Sequence, residues 1–191
     1  KGLIKDLLTN YNGVELPKGP VVLENSLIKA TFDTGSGQMH SLINKETGEE
    51  MLSAPAGLNL VMTQDSDMSA WRIGRYFSIT PVTDTYDVSI RDNALRKSVT
   101  FKQTVMHSDV QLTVSLDKGA KSLHYAFTID WHETCKGQKA LPVLTYRLPL
   151  KKGAEEILND VPAGFALRPQ REMDVPALTY ACANPAHETA A

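Results

Sequence analysis

The sequence is poor in the features that announce most functions. It has only two cysteines, Cys135 and Cys182, and no CxxC pair, so neither a disulfide framework nor a thiolate zinc knuckle can be read from it. Two isolated cysteines read as reduced thiols, and from them a cytoplasmic location is expected; whether they pair is left open. No apolar run is long enough to span a bilayer, and no secretory pattern of basic, apolar and small residues occurs. Net charge is only −2, which gives no electrostatic reason to expect nucleic acid or an anionic membrane as partner. There is no nucleotide-type glycine loop, no GxSxG elbow, no internal repeat and no low-complexity tract. Aromatic residues make up 7%, few for a surface built of sugar-stacking platforms.

What is present is apolar alternation. Of the 191 residues, 42% are hydrophobic, enough to fill a core. The stretches Lys97–Met106, Asp109–Asp117 and Ser122–His132 each alternate with period two, which predicts three successive strands with one apolar face. The tight connection between the first two is placed at His107-Ser108-Asp109. In the third, Leu123, Tyr125, Phe127, Ile129 and Trp131 share a face, and His124, Ala126, Thr128, Asp130 and His132 share the other. Further upstream, Val22, Ile28, Ala30 and Phe32 are placed on one parity across an Asn25-Ser26 turn. Turns are expected at Thr34–Gln38 and Lys45–Gly48, with a short strand at Met39–Asn44 between them. Leu141–Leu150 reads as a strand with Pro142 and Pro149, suited to an edge. Only Lys1–Tyr11 has helical spacing. The expected fold is all-β, an antiparallel β-sandwich from 21 to 191, preceded at 1–20 by a linker or helix tail. Lys1-Gly2-Leu3 and the closing Glu188-Thr189-Ala190-Ala191 suggest a piece of a longer protein.

Residues able to carry chemistry are scattered. His124, Asp130 and His132 share a strand face that can present ligands to a metal, but their spacing matches no zinc signature, and a solvated polar face is the plainer reading. Asp65, Asp67, Asp84, Asp87, Asp92, Glu155, Glu156, Asp160 and Asp174 include no pair that sequence can place across a glycosidic bond. Trp71, Arg72, Arg75 and Tyr76 combine ring faces with fork-shaped donors, as a sugar or carboxylate site does; on the residues alone a structural role is the plainer reading. Arg168 and Arg171 sit in what reads as a Pro/Gly-rich loop, 160–171.

Four segments taken together resemble the C-terminal half of glycoside hydrolase family 38, the retaining, zinc-dependent α-mannosidases. They are LENSLIKATFDTGSGQMHSLINKETGEEML at 23–52, MSAWRIGRYF at 68–77, LHYAFTIDWHETCK at 123–136 and DVPAGFALRP at 160–169. The resemblance implies a supersandwich like that of galactose mutarotase. It also implies a parent that hydrolyses terminal α-linked mannose through an Asp nucleophile and a zinc ion, both in a catalytic domain outside this sequence. No catalytic or metal-ligating residue of the family is therefore expected here. The implied partners are that catalytic domain and mannosides, with a homo-oligomeric parent left open. Trp71, Arg72, Arg75, Tyr76, Arg168 and Arg171 are the accessory candidates for the cleft rim. Two alternatives remain: a free-standing carbohydrate-binding module, or a mutarotase-like epimerase using His124 with Asp130.

Overall fold

The computed structural model describes residues 19–64, 75–134, 140–170, 175 and 177–183. The helical spacing at Lys1–Tyr11 lies outside them. All regular structure among the described residues is β. The chain divides into two compact units, Lys1–Lys151 and Lys152–Ala191.

The first unit begins with β1 (Val21–Glu24), β2 (Ile28–Phe32), β3 (Met39–Asn44) and β4 (Glu49–Glu50), joined in that order as an antiparallel meander. A second meander runs β7 (Thr85–Asp92), β8 (Arg96–Val105), β9 (Ser108–Asp117) and β10 (Leu123–Asp130). Between them in sequence lie β5 (Gly57–Gln64) and β6 (Tyr76–Pro81). These join β11 (Ala140–Arg147) in a three-stranded sheet with β5 at its centre. The first and third sheets meet where Met39 exchanges both backbone hydrogen bonds with Ala56.

The core shows how these sheets stack. Val21, Leu23, Ala30, Phe32 and Met39 pack against Val88, Val99, Phe101, Leu112, Val114 and Leu116 of the second meander. Leu58 of β5 packs with Val105 and Val110 of that same meander. The β7–β10 sheet is thus one layer, and the other two sheets tile the opposite layer. Each fully buried Val, Leu or Phe contributes roughly 1.5–3 kcal/mol relative to exposure. The alternation in β8 and β9 is therefore what holds the layers together. Phe32 and Phe101 meet across the layers, ring centres 5.9 Å apart and tilted by 38°.

Two expectations shift. Val22 is exposed, whereas Val21 and Leu23 are buried. In an antiparallel hairpin, paired residues share a face, and the pairs here are Val21 with Phe32 and Leu23 with Ala30. The turn between β1 and β2 thus reverses parity, which a single parity carried through it cannot follow. The β8–β9 turn is also earlier than placed: Val105 pairs with Ser108, leaving Met106 and His107 as the two-residue loop. Met106 takes a left-handed φ of 53°, unusual for a side chain of its size.

The second unit is a three-stranded sheet of β12 (Glu156–Val161), β13 (Gly164–Pro169) and β14 (Ala181–Ala183), with β12 in the middle. The stretch read as a loop, 160–171, is instead largely a hairpin. Pro162 and Ala163 alone form its turn, Ala163 at φ 66°, and Gly164–Pro169 is regular strand. Proline presets the first turn position, and the second demands a positive φ, so the two breakers shape a turn without ending the sheet.

Candidate functional site

Among the described residues of the singled-out segments, Asn25, Glu50, Glu133 and Asp160 clasp turns. In the first segment, Asn25 uses its whole amide. Its Oδ1 accepts from the Leu27 and Ile28 N–H groups at 2.8 and 2.9 Å. Its Nδ2 donates to the carbonyls of Asp117 and Ala120 at 2.8 and 2.9 Å, tying the β1–β2 turn to the turn leaving β9. Glu50 Oε1 accepts from the Leu42 and Leu52 N–H groups, both at 2.9 Å, and Oε2 accepts from the Ser41 hydroxyl. Burial pushes the Glu50 carboxyl up, but these donors outweigh it and leave its pKa below the ordinary value.

The second segment reaches the described residues only at its end; Trp71 and Arg72 lie outside them. Arg75 is exposed, and its carbonyl accepts from the Gln64 N–H at 2.9 Å. Tyr76 opens β6 opposite Thr63, where the ladder slips register by one residue. Phe77 falls at the slip and has no partner of its own in the register. β6 is an edge strand, so its apolar side chains stand in solvent: Tyr76 is 41% and Phe77 60% exposed, with Ile79 exposed beside them. Rings and a guanidinium are therefore available on one sheet edge rather than sunk in the core.

In the third segment, Trp131 is half-buried against Leu58, Val82, Val105 and Val110. Asp130 pairs with His132, Nε2 to Oδ2 3.0 Å. Glu133 reaches back across the layer. Its Oε1 accepts from the His107 N–H at 2.6 Å and the Ser108 hydroxyl at 2.8 Å, and its Oε2 faces His107 Nδ1 at 3.2 Å. The Ser108 hydroxyl in turn accepts from the His132 N–H at 2.9 Å. A serine, a histidine and a glutamate so close invite comparison with a nucleophilic triad. The connectivity is wrong for one: Ser108 donates to the carboxylate rather than to the imidazole, and it is fully buried. His124 stands opposite Ser115 and Asp130 opposite Asp109, at opposite ends of β10. Six residues of extended strand separate their backbones by about 20 Å, so the two do not converge on one sugar carbon within this chain.

In the fourth segment, Asp160 captures three successive backbone N–H groups. Leu178 donates at 2.9 Å, Thr179 at 3.0 and 2.9 Å, and Tyr180 at 3.1 Å, with the Thr179 hydroxyl added. The Thr179 hydroxyl, against the opposing effect of desolvation and with the help of those amides, brings its pKa to about 2. Arg168 on β13 donates to Asn159 Oδ1 at 3.5 Å, a long hydrogen bond. Arg171 lies outside the described residues. Arg75 and Tyr76 belong to one unit and Arg168 to the other.

The sheet of the second unit should depend on Asp160. In Asp160→Asn, one amide oxygen replaces two charged acceptors. Hydrogen exchange at the amides of Leu178, Thr179 and Tyr180 is expected to quicken roughly tenfold or more at neutral pH. Unchanged exchange would show that the carboxylate is not what holds this strap. Because the folded pKa is depressed from 3.8, the contribution is complete above that value and disappears as pH falls through about 2.

Among the described residues, no three His, Cys, Asp or Glu side chains converge. They do not fit a zinc site. Asp87 and Asp92 are each taken by a lysine of β8, Lys102 at 2.8 Å and Lys97 at 3.0 Å. Asp65, Asp67 and Asp174 lie outside the described residues. Cys182 is a free, exposed thiol; Cys135 is not described. Sequence reasoning missed the turn-closing roles of Asn25 and Glu50. The available signal was a lone amide or carboxylate where an apolar period breaks.

Over residues 23–185 the chain matches the model of the family described as glycosyl hydrolases family 38 C-terminal domain. No curated protein matches it.

Proposed function

We propose the function of this chain from one premise: it belongs to the glycosyl hydrolase family 38 C-terminal domains. It is the accessory β-sandwich of a glycoside hydrolase, and the parent acts as a retaining α-mannosidase on terminal α-linked mannose. The Asp nucleophile and the zinc ion belong to a catalytic domain elsewhere in the longer chain, which is this region's partner. The chain's own part is scaffolding and support of the cleft.

The observation that carries this reading is the state of the carboxylates in the matching segments. Glu50, Glu133 and Asp160 are each saturated by amide and hydroxyl donors of neighbouring turns. A carboxylate held low in pKa by the donors of a turn is a poor general acid.

The exposed rings of Tyr76 and Phe77 next to Arg75 favour a second role for the same domain, contact with the sugar or with the catalytic domain along the β6 edge. The test is hydrolysis of p-nitrophenyl α-mannoside, with zinc, by this chain and by the longer chain that includes its catalytic domain. Only the longer chain should be active, and it should prefer the α-mannoside to the α-glucoside. Hydrolysis by the 191-residue chain alone would sink the accessory reading. An inert longer chain, or one preferring the glucoside, would sink the mannosidase assignment. Calorimetry with mannobiose then separates the roles of the β6 edge. Heat lost in Phe77→Ala would place sugar there, and no heat in either protein would leave that edge to the catalytic domain.

A further inference from the structure

Every sheet edge among the described residues but one carries something that hinders further pairing. β1, β4 and β14 have four, two and three residues. β7 slips register at Thr85/Asp87, and β6 slips against Met62/Thr63. β11 contains Pro142, and β13 closes with Arg168 and Pro169. These are the devices by which sheets avoid adding strands. β10 is neither short, slipped nor broken by proline. It runs eight residues, LHYAFTID, in unbroken register with β9, without proline, glycine or lysine. Its inward row is also incompletely covered: Phe127 is 42% and Ile129 46% exposed.

We propose that β10 pairs antiparallel with β10 of a second copy of this chain, joining two four-stranded sheets into one of eight. Residues opposite one another in an antiparallel ladder point to the same face. A two-fold ladder of identical strands must therefore centre on a residue, not between residues. Centred on Phe127, it sets Phe127 against itself, Tyr125 against Ile129 and Ala126 against Thr128. It also sets His124 against Asp130 at both ends. Centred on Ala126, it would leave Asp130 facing Ser122. Centred on Thr128, it would set His124 against His132. Every residue-centred register joins the apolar row to itself, but only the Phe127 centre meets each His124 with a carboxylate. Asp130 already pairs with His132 of its own chain, and both side chains are exposed enough to share the acceptor. This self-complementarity is what selects a second copy over another strand.

The test is sedimentation equilibrium of the 191-residue chain near pH 6. A dimer is expected. Asp130→Lys should weaken it roughly tenfold through two like-charge contacts, and the double variant His124→Asp with Asp130→Lys should restore it. Both positions are exposed, so neither change threatens the fold. In a Cys135→Ser, Cys182→Ser background, Phe127→Cys should form an intermolecular disulfide readily and Ala126→Cys poorly, because only position 127 faces itself. A chain that stays monomeric to roughly millimolar concentration overturns the proposal. So does a dimer indifferent to Asp130→Lys, or one that cross-links better through position 126.

Discussion

Glu133→Ala is expected to destabilise the larger unit by about 2–4 kcal/mol. The side chain is only 4% exposed, and it serves three donors at the β8–β9 turn. Its loss leaves the Ser108 hydroxyl buried without its acceptor, and a buried unpaired group costs more than an average hydrogen bond contributes. It also frees the Met106-His107 loop, whose left-handed Met106 needs outside support. In thermal denaturation the loss should read as a fall of roughly 5–12 °C for a domain of this size. Glu133→Gln keeps the shape and one acceptor, so it should fall by less. A shift under roughly 2 °C for the alanine variant would mean the clasp contributes little. The acid limb gives a second reading. Burial works to raise the Glu133 pKa, but the His107 amide, the Ser108 hydroxyl and the His107 ring outweigh it, and the net shift from 4.5 is downward. Stability from this group is therefore complete above pH 4.5 and is lost as pH falls through the lower folded value. Glu133→Ala should remove that part of the acid transition.

Gly37→Ala is expected to cost a similar amount, about 2–4 kcal/mol, by a different route. Gly37 sits at φ 67°, which by itself costs an alanine roughly 1–2 kcal/mol. Its Cβ would also stand 3.0 Å from Gln103 Nε2 and 3.3 Å from Thr85 Oγ1. Gln103 occupies an inward position of β8, between Phe101 and Val105, and is buried. Its Nε2 donates to the Ser36 carbonyl at 2.8 Å and to Thr85 Oγ1 at 3.2 Å, fastening the β2–β3 turn to the start of β7. Displacing that amide strands polar atoms inside the sandwich. Gly48→Ala is the control: φ is 72°, but nothing lies within 4 Å of its Cβ, so only the backbone term applies. Equal losses in urea denaturation for the two variants would show that crowding of Gln103 plays no part.

The strands that sequence revealed are those with one polar face. β8 and β9 alternate because one side meets the core and the other carries polar side chains that are mostly half-buried. β5 gave no such signal. It lies between β11 and β6, and residues of both parities, Leu58 and Asn59 among them, are buried. On β10 the pattern was read correctly, but its apolar face is only partly covered, since the strand lies at an edge. The polar clasps were half legible. A turn at Asn25 and a carboxylate at Asp160 could be read from sequence, yet their partners could not. Asn25 reaches across 92 residues to Asp117, and Gln103 across 67 to Ser36. No local pattern encodes a bond of that span.

The position of β5 also bears on the order in which the domain assembles. The β7–β10 meander closes through three consecutive hairpins, each able to form as soon as its strands exist. β5 meets β11 only across a wide gap: at Thr63 and Leu141 the partners are 78 residues apart. Closing so large a loop is slow, and during synthesis it must wait until the whole meander has left the ribosome. Until then one side of β5, with Leu58 and Val61 in it, is an unclaimed apolar template. The nascent chain is therefore most prone to misassociation between the emergence of β6 and the arrival of β11, and a chaperone acting on this protein has its work in that interval.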